Sequence, residues 1–213
     1  MATRTQTVAL AIGVGILSIV IGALSAHWLL SRNKSSTLEL ATGTAIAPAR
    51  PLPPMQFVDQ NQHRFDETRL TGRWTFMFFG FTNCPDVCPT TLAMLAQVDK
   101  QLADLPKRQQ PQVVFVSVDP ERDTPERIGS YVKFFSPQFI GVTAPAAQIQ
   151  AFTTAMGVPV AINKSSDGSY TVDHSGAVFV INPQGKWRAL FSPPHQAKLI
   201  AADYRQLIAA PSS

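Results

Sequence analysis

The sequence predicts an α/β domain whose sheet is covered by helices on both faces, preceded by one transmembrane helix. Two nearly continuous apolar runs, residues 74–81 and 113–118, are typical of strands buried on both faces, and a helical pattern follows each of them. Further strand patterns and a closing helix complete the order expected of a three-layer α/β sheet domain. The transmembrane helix is predicted from a separate apolar run, residues 8–30.

This first apolar run is long enough to span a bilayer. Residues 8–30 carry no formal charge and as a helix would reach roughly 30 Å. A cleaved signal peptide is the alternative, because residues 23–25 form an acceptable cleavage site. The run nevertheless exceeds the ~7–15 apolar residues of a signal peptide, so we predict an uncleaved anchor. Cationic residues lie on both sides of it, which leaves its orientation open.

The segment after the anchor lacks the pattern of a folded domain. Residues 31–53 are rich in Ser, Thr, Ala and Pro, so we predict a flexible tether there. The folded domain is then expected to occupy residues 54–213, and residues 1–7 form a short amino-terminal tail. Because this tail is too short for an Arg-rich transit peptide, a bacterial inner-membrane protein is favoured over a mitochondrial one.

Within residues 54–213, strand and helix patterns alternate. Residues 56–65 predict a β-hairpin, with polar turn residues between short apolar arms. Thr124 is expected to be the N-cap of a helix, with Pro125 at its first position and Glu126 in its first turn. The other predicted elements are a helix after residue 89 with apolar Leu92, Leu95, Ala96 and Leu102, helices at 124–135, 146–156 and 194–209, and strands at 139–142, 170–172, 177–181 and 187–191.

The net charge of +4 and the pI of about 9.3 raise the question of nucleic-acid binding. Four of the 18 Lys and Arg residues and one of the 14 Asp and Glu residues precede Pro54, which leaves 14 cationic against 13 acidic residues in the predicted domain. A nucleic-acid-binding protein concentrates its positive charge on one face. We therefore predict that nucleic acid is not a partner.

The chain has two cysteines, Cys84 and Cys88, in the loop between the first buried strand and its helix. Ligands of open α/β folds gather at such strand ends. A proline follows each cysteine, and residues before proline avoid the α conformation. We therefore predict that Cys88 is the N-cap, that Pro89 is the first helical residue, and that the helix amino terminus stabilises a thiolate.

The spacing of the two cysteines leaves three interpretations open. They are a metal clamp, a redox disulfide in which Cys84 and Cys88 are the catalytic residues, and two inert thiols. The spacing differs from the Cys-x-x-Cys of thioredoxin-type redox motifs. Two thiolates are soft donors that favour Cu(I), with Zn(II) next, and a third ligand would be needed.

Four histidines are candidates for the third ligand. His27 lies in the predicted anchor, while His63 and His195 fall in the hairpin and at the start of the last helix, where most histidines are solvated. His174 directly precedes a predicted strand, and Asp173 beside it is a candidate to orient its ring. An equally acceptable interpretation is that His174 is a surface residue at the end of a strand.

Three motifs, in order along the chain, resemble those of the Sco/SenC family. They are GFTNCPDVCP at residues 80–89, VSVDPERDTPE at residues 116–126 and VDHS at residues 172–175. The resemblance extends over about residues 54–209. One departure is Asn83, where family members often have histidine. That position is not a family copper ligand, so we expect the difference to alter the loop without loss of copper binding.

The resemblance implies a thioredoxin-like fold with an added β-hairpin, displayed on the outer side of a membrane, here the periplasm. It implies a copper ion bound by Cys84, Cys88 and His174, with Asp119 and Asp123 near the site but not obviously ligating. It also implies a metallochaperone that receives copper from an unidentified donor and assists assembly of the CuA centre in apo cytochrome c oxidase subunit II. The alternative is a thiol–disulfide oxidoreductase that reduces the CuA-site cysteines of that subunit.

Overall fold

The structure, a computed structural model, describes residues 15–26, 28, 38–164 and 170–210. The chain divides into two units, residues 1–37 and 38–213. In the first unit, residues 15–26 form a helix, α1, on which large apolar side chains such as Ile19 and Leu24 are exposed. Within the described residues, no helix is both long and apolar enough to cross a membrane.

Parts of the predicted amino-terminal segments fall beyond what the structure describes. The tail at residues 1–7, residues 8–14, 27, 29 and 30 of the predicted anchor, and residues 31–37 of the predicted tether lie outside the described residues. The transmembrane helix therefore stays a prediction.

The second unit contains ten strands and four further helices among its described residues. The strands are β1 (Gly43–Pro51), β2 (Phe57–Asp59), β3 (Arg64–Phe65), β4 (Thr75–Gly80), β5 (Gln112–Ser117), β6 (Ile140–Thr143), β7 (Val160–Lys164), β8 (Tyr170–His174), β9 (Val178–Ile181) and β10 (Lys186–Phe191). The helices are α2 (Val87–Gln101), α3 (Pro125–Phe135), α4 (Ala146–Met156) and α5 (Ala197–Ala209), with a short 3-10 turn at Glu67–Arg69.

Eight strands form one mixed sheet in the order β1-β10-β9-β4-β5-β6-β2-β3, and β7 and β8 form a separate antiparallel pair. At its centre, β4 runs parallel to β5, with Phe78 opposite Phe115, and antiparallel to β9. All six residues of β4 are buried. A strand covered on both faces needs apolar side chains on both, which explains the continuous apolar run in the sequence.

Aromatic contacts show that helices cover both faces of the sheet. Phe76 of β4 packs edge-on against Tyr204 of α5, with ring centroids 5.1 Å apart. Phe79 points to the other face, since side chains alternate along a strand, and its ring lies 6.1 Å from that of Phe152 in α4. The predicted three-layer α/β arrangement is confirmed.

Local capping and turn predictions are confirmed as well. The Thr124 hydroxyl accepts a hydrogen bond from the backbone N–H of Arg127 at the start of α3, as expected of an N-cap. Helix α4 is capped by Gly157, whose φ of 68° lies in the left-handed region that glycine adopts without strain. In the predicted hairpin, Phe57 of β2 stands opposite Phe65 of β3.

The carboxyl-terminal end of the predicted tether, residues 31–53, needs correction. Strand β1 lies inside that segment and pairs with β10, so the folded unit begins before residue 54. The buried carboxylate of Asp203 in α5 accepts hydrogen bonds from the backbone N–H groups of Ala41, Thr42 and Gly43. The small residues of this strand show no alternating pattern. The Asp203 carboxylate that accepts the Gly43 N–H is about 160 residues away in sequence.

Two further elements differ from the prediction. Strand β7 was not predicted, because four of its five residues are exposed and its sequence has no continuous apolar face. It pairs with β8, with Val160 opposite His174. The closing helix begins at Ala197 and not at residue 194, so His195 precedes it.

Candidate metal centre

The two cysteines are placed by the loop that leaves β4 and by the first turn of α2. The backbone N–H of Cys84 donates to the carbonyl of Phe81, which closes a tight turn. Helix α2 has Asp86 as its N-cap and begins at Val87, so Cys88 is its second residue. The prediction that Cys88 is the N-cap is wrong by two positions. Pro89 is tolerated inside the first turn because backbone N–H groups there have no partner within the helix.

A backbone N–H group at the start of α2 donates to the sulfur of Cys84 and not to that of Cys88. The backbone N–H of Cys88 donates to Cys84 Sγ over 3.3 Å. Cys84 is partly exposed, whereas Cys88 is completely buried. Burial, reinforced by the neighbouring Cys84, raises the pKa of the Cys88 thiol far above its ordinary range. The N–H group at the helix start is therefore available to stabilise a thiolate at Cys84, whereas at Cys88 desolvation outweighs the helix dipole.

His174 completes the site from the end of β8. Its Nε2 lies 3.1 Å from Cys88 Sγ, and its Nδ1 lies 3.1 Å from the carbonyl oxygen of Ser175. Because a carbonyl only accepts, Nδ1 carries the proton and Nε2 keeps its lone pair. Burial lowers the pKa of His174, so the ring is neutral at neutral pH. In the metal-free protein the Cys88 thiol therefore donates to Nε2.

The walls around the imidazole are aromatic and fix its orientation. The rings of Phe78 and Phe81 meet the His174 ring nearly edge-on, with centroids 6.0 Å and 5.8 Å away. Gly80, between them, leaves room for the thiol. A Cβ at that position would lie 2.7 Å from Cys88 Sγ and 2.8 Å from Phe115, so only glycine lets the sulfur approach the strand this closely.

The three atoms Cys84 Sγ, Cys88 Sγ and His174 Nε2 can share one metal ion. The ligand atoms of these residues all lie within 4.8 Å of one another. Two sulfur donors and one imidazole form a soft set that suits Cu(I) or Zn(II) better than hard cations. Three protein ligands also leave a coordination position open for an incoming group.

The other two described histidines, His63 and His195, are not among the grouped metal-ligand candidates. His63 is exposed, with Nδ1 3.8 Å from an Asp59 carboxylate oxygen. His195 donates from Nε2 to the carbonyl of Gly176 over 2.7 Å, so it supports the loop that follows His174. His27 lies outside the described residues.

Asp173 does not hold the His174 ring, contrary to our expectation. Its carboxylate accepts a hydrogen bond from the side-chain amide of Asn163 over 2.7 Å. The carbonyl of Ser175 orients the imidazole in its place. Successive side chains of a strand point to opposite faces, so Asp173 faces away from its neighbour's ring.

Sequence reasoning placed Asp123 near the site but did not find its function in the fold. The buried carboxylate of Asp123 accepts hydrogen bonds from the backbone N–H of Thr82 at 3.0 Å and from the hydroxyls of Thr82 and Ser117. It thereby ties the cysteine loop to the end of β5. Arg127 adds bonds to Thr82 and to the side-chain oxygen of Asn83. Asn83 thus belongs to the hydrogen-bond network of the loop.

Comparisons with known proteins agree with this geometry. The sequence model of the SCO1/SenC family matches residues 44–209. A Stutzerimonas stutzeri protein described as a candidate copper-binding protein is 36% identical over 165 residues, which cover 78% of this chain and 80% of that protein. The human mitochondrial SCO2 homolog is 39% identical over 140 residues. That match covers 65% of this chain and 53% of the human protein, so the chain spans about half the length of this relative.

The fold matches solved Sco structures as well. The structure of Bradyrhizobium japonicum ScoI with copper bound aligns with a TM-score of 0.67 at 32% identity, over 74% of this chain and 99% of that one. This similarity confirms the thioredoxin-like Sco fold predicted from the motifs. With the family match over residues 44–209, it follows that the chain belongs to the SCO1/SenC family.

Proposed function

We propose that the protein is a copper metallochaperone that carries one Cu(I) ion between Cys84, Cys88 and His174. The observation that supports this best is the convergence of two sulfurs and an imidazole nitrogen within 4.8 Å. The tautomer of His174 already directs a lone pair at Cys88. Copper binding then requires displacement of the thiol proton and no rotation of the imidazole.

The different exposure of the ligands suits transfer of the ion. Cys84 is partly exposed and Cys88 is buried, so an acceptor ligand approaches from the side of Cys84. A three-coordinate ion accepts this ligand before it releases one of its own, which avoids a free copper ion. We propose that the recipient is the CuA site of apo cytochrome c oxidase subunit II, as the family resemblance implies, and that a separate donor loads the chaperone.

Titration of the reduced full-length protein with Cu(I), in competition with a chromophoric chelator, tests the proposal. We expect one tightly bound ion per chain, and its transfer to the isolated apo-CuA domain of subunit II without loss to the chelator. Failure of the reduced protein to bind copper would contradict the proposal.

A thiol–disulfide oxidoreductase is the second candidate, because Cys84 and Cys88 are both free thiols and one of them is accessible. In this reaction the Cys84 thiolate attacks a disulfide of the acceptor and one acceptor sulfur leaves as a thiol. Cys88 then resolves the mixed disulfide. The acceptor gains two electrons and two protons, and the chain is left with a Cys84–Cys88 disulfide that a thiol reductant must reduce again.

Replacing His174 by alanine separates the two functions. Thiol–disulfide exchange needs both sulfurs but not the imidazole, whereas copper binding needs all three ligands. We expect His174→Ala to lower Cu(I) affinity strongly while it still reduces a disulfide peptide at a rate near that of the wild type. His63→Ala, at an exposed histidine away from the site, is the matched control. Unchanged copper affinity in His174→Ala would remove this residue from the site.

We further propose that residues 8–30 anchor the chain as a single pass in a bacterial inner membrane, with the folded unit in the periplasm. The charge-free apolar run in the sequence and the exposed apolar side chains of α1 support this. The full-length chain should stay with the membrane fraction after an alkaline carbonate wash, and a variant lacking residues 1–37 should not. Release of the full-length chain by the wash would count against an anchor.

A further inference from the structure

The metal ligands come from two strands that do not pair with each other, although β9, which follows His174 along the chain, pairs with β4. The cysteines follow β4 of the eight-stranded sheet. His174 is the last residue of β8, which among the described residues pairs only with β7. His174 and Cys88 are 86 positions apart in sequence. Residues 175–177 form only a short connection to β9. Side-chain contacts must therefore help to hold the imidazole next to the two sulfurs.

We propose that Arg122 is a positioning residue that, together with Asp119, fixes β8 and the His174 ring relative to the cysteine loop. This inference rests on the proposed copper-binding function. Arg122 and Asp119 lie in the connection between β5 and α3, the same connection whose Asp123 holds Thr82 of the cysteine loop. One short segment thus contacts both halves of the site.

The contacts to β8 are made at Tyr170, its first residue. Arg122 donates from Nη1 to the Tyr170 carbonyl over 3.0 Å, and its guanidinium lies 3.6 Å from the centroid of the Tyr170 ring. Asp119, itself buried, accepts from Arg122 Nε at 2.5 Å and from the Tyr170 hydroxyl at 2.7 Å. Burial, with this bond to Asp119, raises the pKa of Tyr170 to about 12, so the hydroxyl stays a donor. Asp119, Arg122 and Tyr170 form a closed ring of contacts.

The guanidinium of Arg122 also reaches the wall of the metal site. It lies 5.7 Å from the centroid of the Phe81 ring, whose own centroid is 5.8 Å from that of His174. The carbonyl of Phe81 accepts the N–H of Cys84. Phe81 therefore contacts one ligand through its ring and another through its backbone, and Arg122 packs against the same ring.

A detail of the Arg122 side chain favours a functional explanation over packing alone. Its Nη2 is buried and has no hydrogen-bond partner in the part of the chain that the structure describes. A buried donor without a partner is destabilising, and such exceptions occur chiefly at functional sites. The planar guanidinium stacks on Tyr170 while it donates to Asp119 and to a carbonyl, a combination that lysine does not reproduce.

The test compares Arg122→Ala and Arg122→Lys with wild type in the full-length protein. We expect both to bind one Cu(I) per chain with an affinity about 10- to 100-fold lower, the usual effect of removing a group that orients a metal ligand. In metal-free protein, the ¹⁵N signals of the His174 imidazole, identified by their loss in His174→Ala, should shift or broaden. Arg205→Ala, which removes a surface pair with Asp104, should leave both measurements unchanged.

A milder variant keeps the test valid if Arg122→Ala does not fold. Tyr170→Phe keeps the stacked ring but removes the hydroxyl bond to Asp119, and we expect a smaller change in the same direction. Wild-type affinity and wild-type His174 signals in both Arg122 variants would overturn the inference. If wild type itself binds no copper, the proposed function fails, while the signals of metal-free His174 still decide whether Arg122 positions the ring.

Discussion

Replacing Cys88 by alanine should lower the Cu(I) affinity of the full-length protein by at least about a thousandfold, equivalent to about 4 kcal/mol. The substitution removes one of the two sulfur donors and leaves Cys84 and His174 as a two-donor site. Cys88 is completely buried and its side chain is small, so alanine leaves only a small cavity and the fold should persist. Competition titration with a Cu(I) chelator measures the loss.

Met94→Leu is the matched control for this prediction, since Met94 is another buried sulfur-containing residue on α2. Its affinity should equal that of wild type. Cys84→Ala should also lose copper strongly, because Cys84 contributes the second soft donor. Retention of tight copper binding by Cys88→Ala would show that the ion is held elsewhere.

The apparent affinity for Cu(I) should rise steeply with pH between 6.5 and 8.0. Burial raises the pKa of Cys88 well above the ordinary thiol value of 9.0, so metal-free protein keeps this proton throughout the range. Copper must displace it, and the apparent affinity therefore gains about tenfold per pH unit from this one thiol. His174 has a pKa lowered from 6.5 by burial, so its imidazole is already neutral and contributes little to the slope.

The pH dependence is measured by the same competition titration at several pH values, after correction for the protonation of the chelator. The His174→Ala variant is the control: it should bind more weakly at every pH but keep the slope that Cys88 produces. An affinity that does not change from pH 6.5 to 8.0 would mean that Cys88 is already a thiolate in the metal-free protein.

The elements that have a local cause could be predicted from the order of residues along the chain. The continuous apolar runs of β4 and β5 predicted buried strands, because a strand covered on both faces needs apolar residues at every position. Thr124 and Pro125 predicted the start of α3 from capping chemistry alone. The motif match also named the three ligands of the candidate site, although the spacing of the cysteines left metal and disulfide open.

The burial, protonation and orientation of those ligands depend on contacts between segments that are distant along the chain. Whether Cys88 is a thiol depends on its burial, which the local sequence does not show. The N–H group at the helix start is directed at Cys84 and not at Cys88. The orientation of His174 comes from the Ser175 carbonyl and the Phe78 and Phe81 rings, and not from Asp173.

Strand β1 was missed for the same reason, since it pairs with β10 and its Gly43 N–H donates to Asp203, both near the far end of the chain. The contacts of Arg122 with β8 and Phe81 likewise join residues that are distant in sequence. Interactions of this kind depend on which surfaces the fold brings together, and a pattern along the chain does not record them.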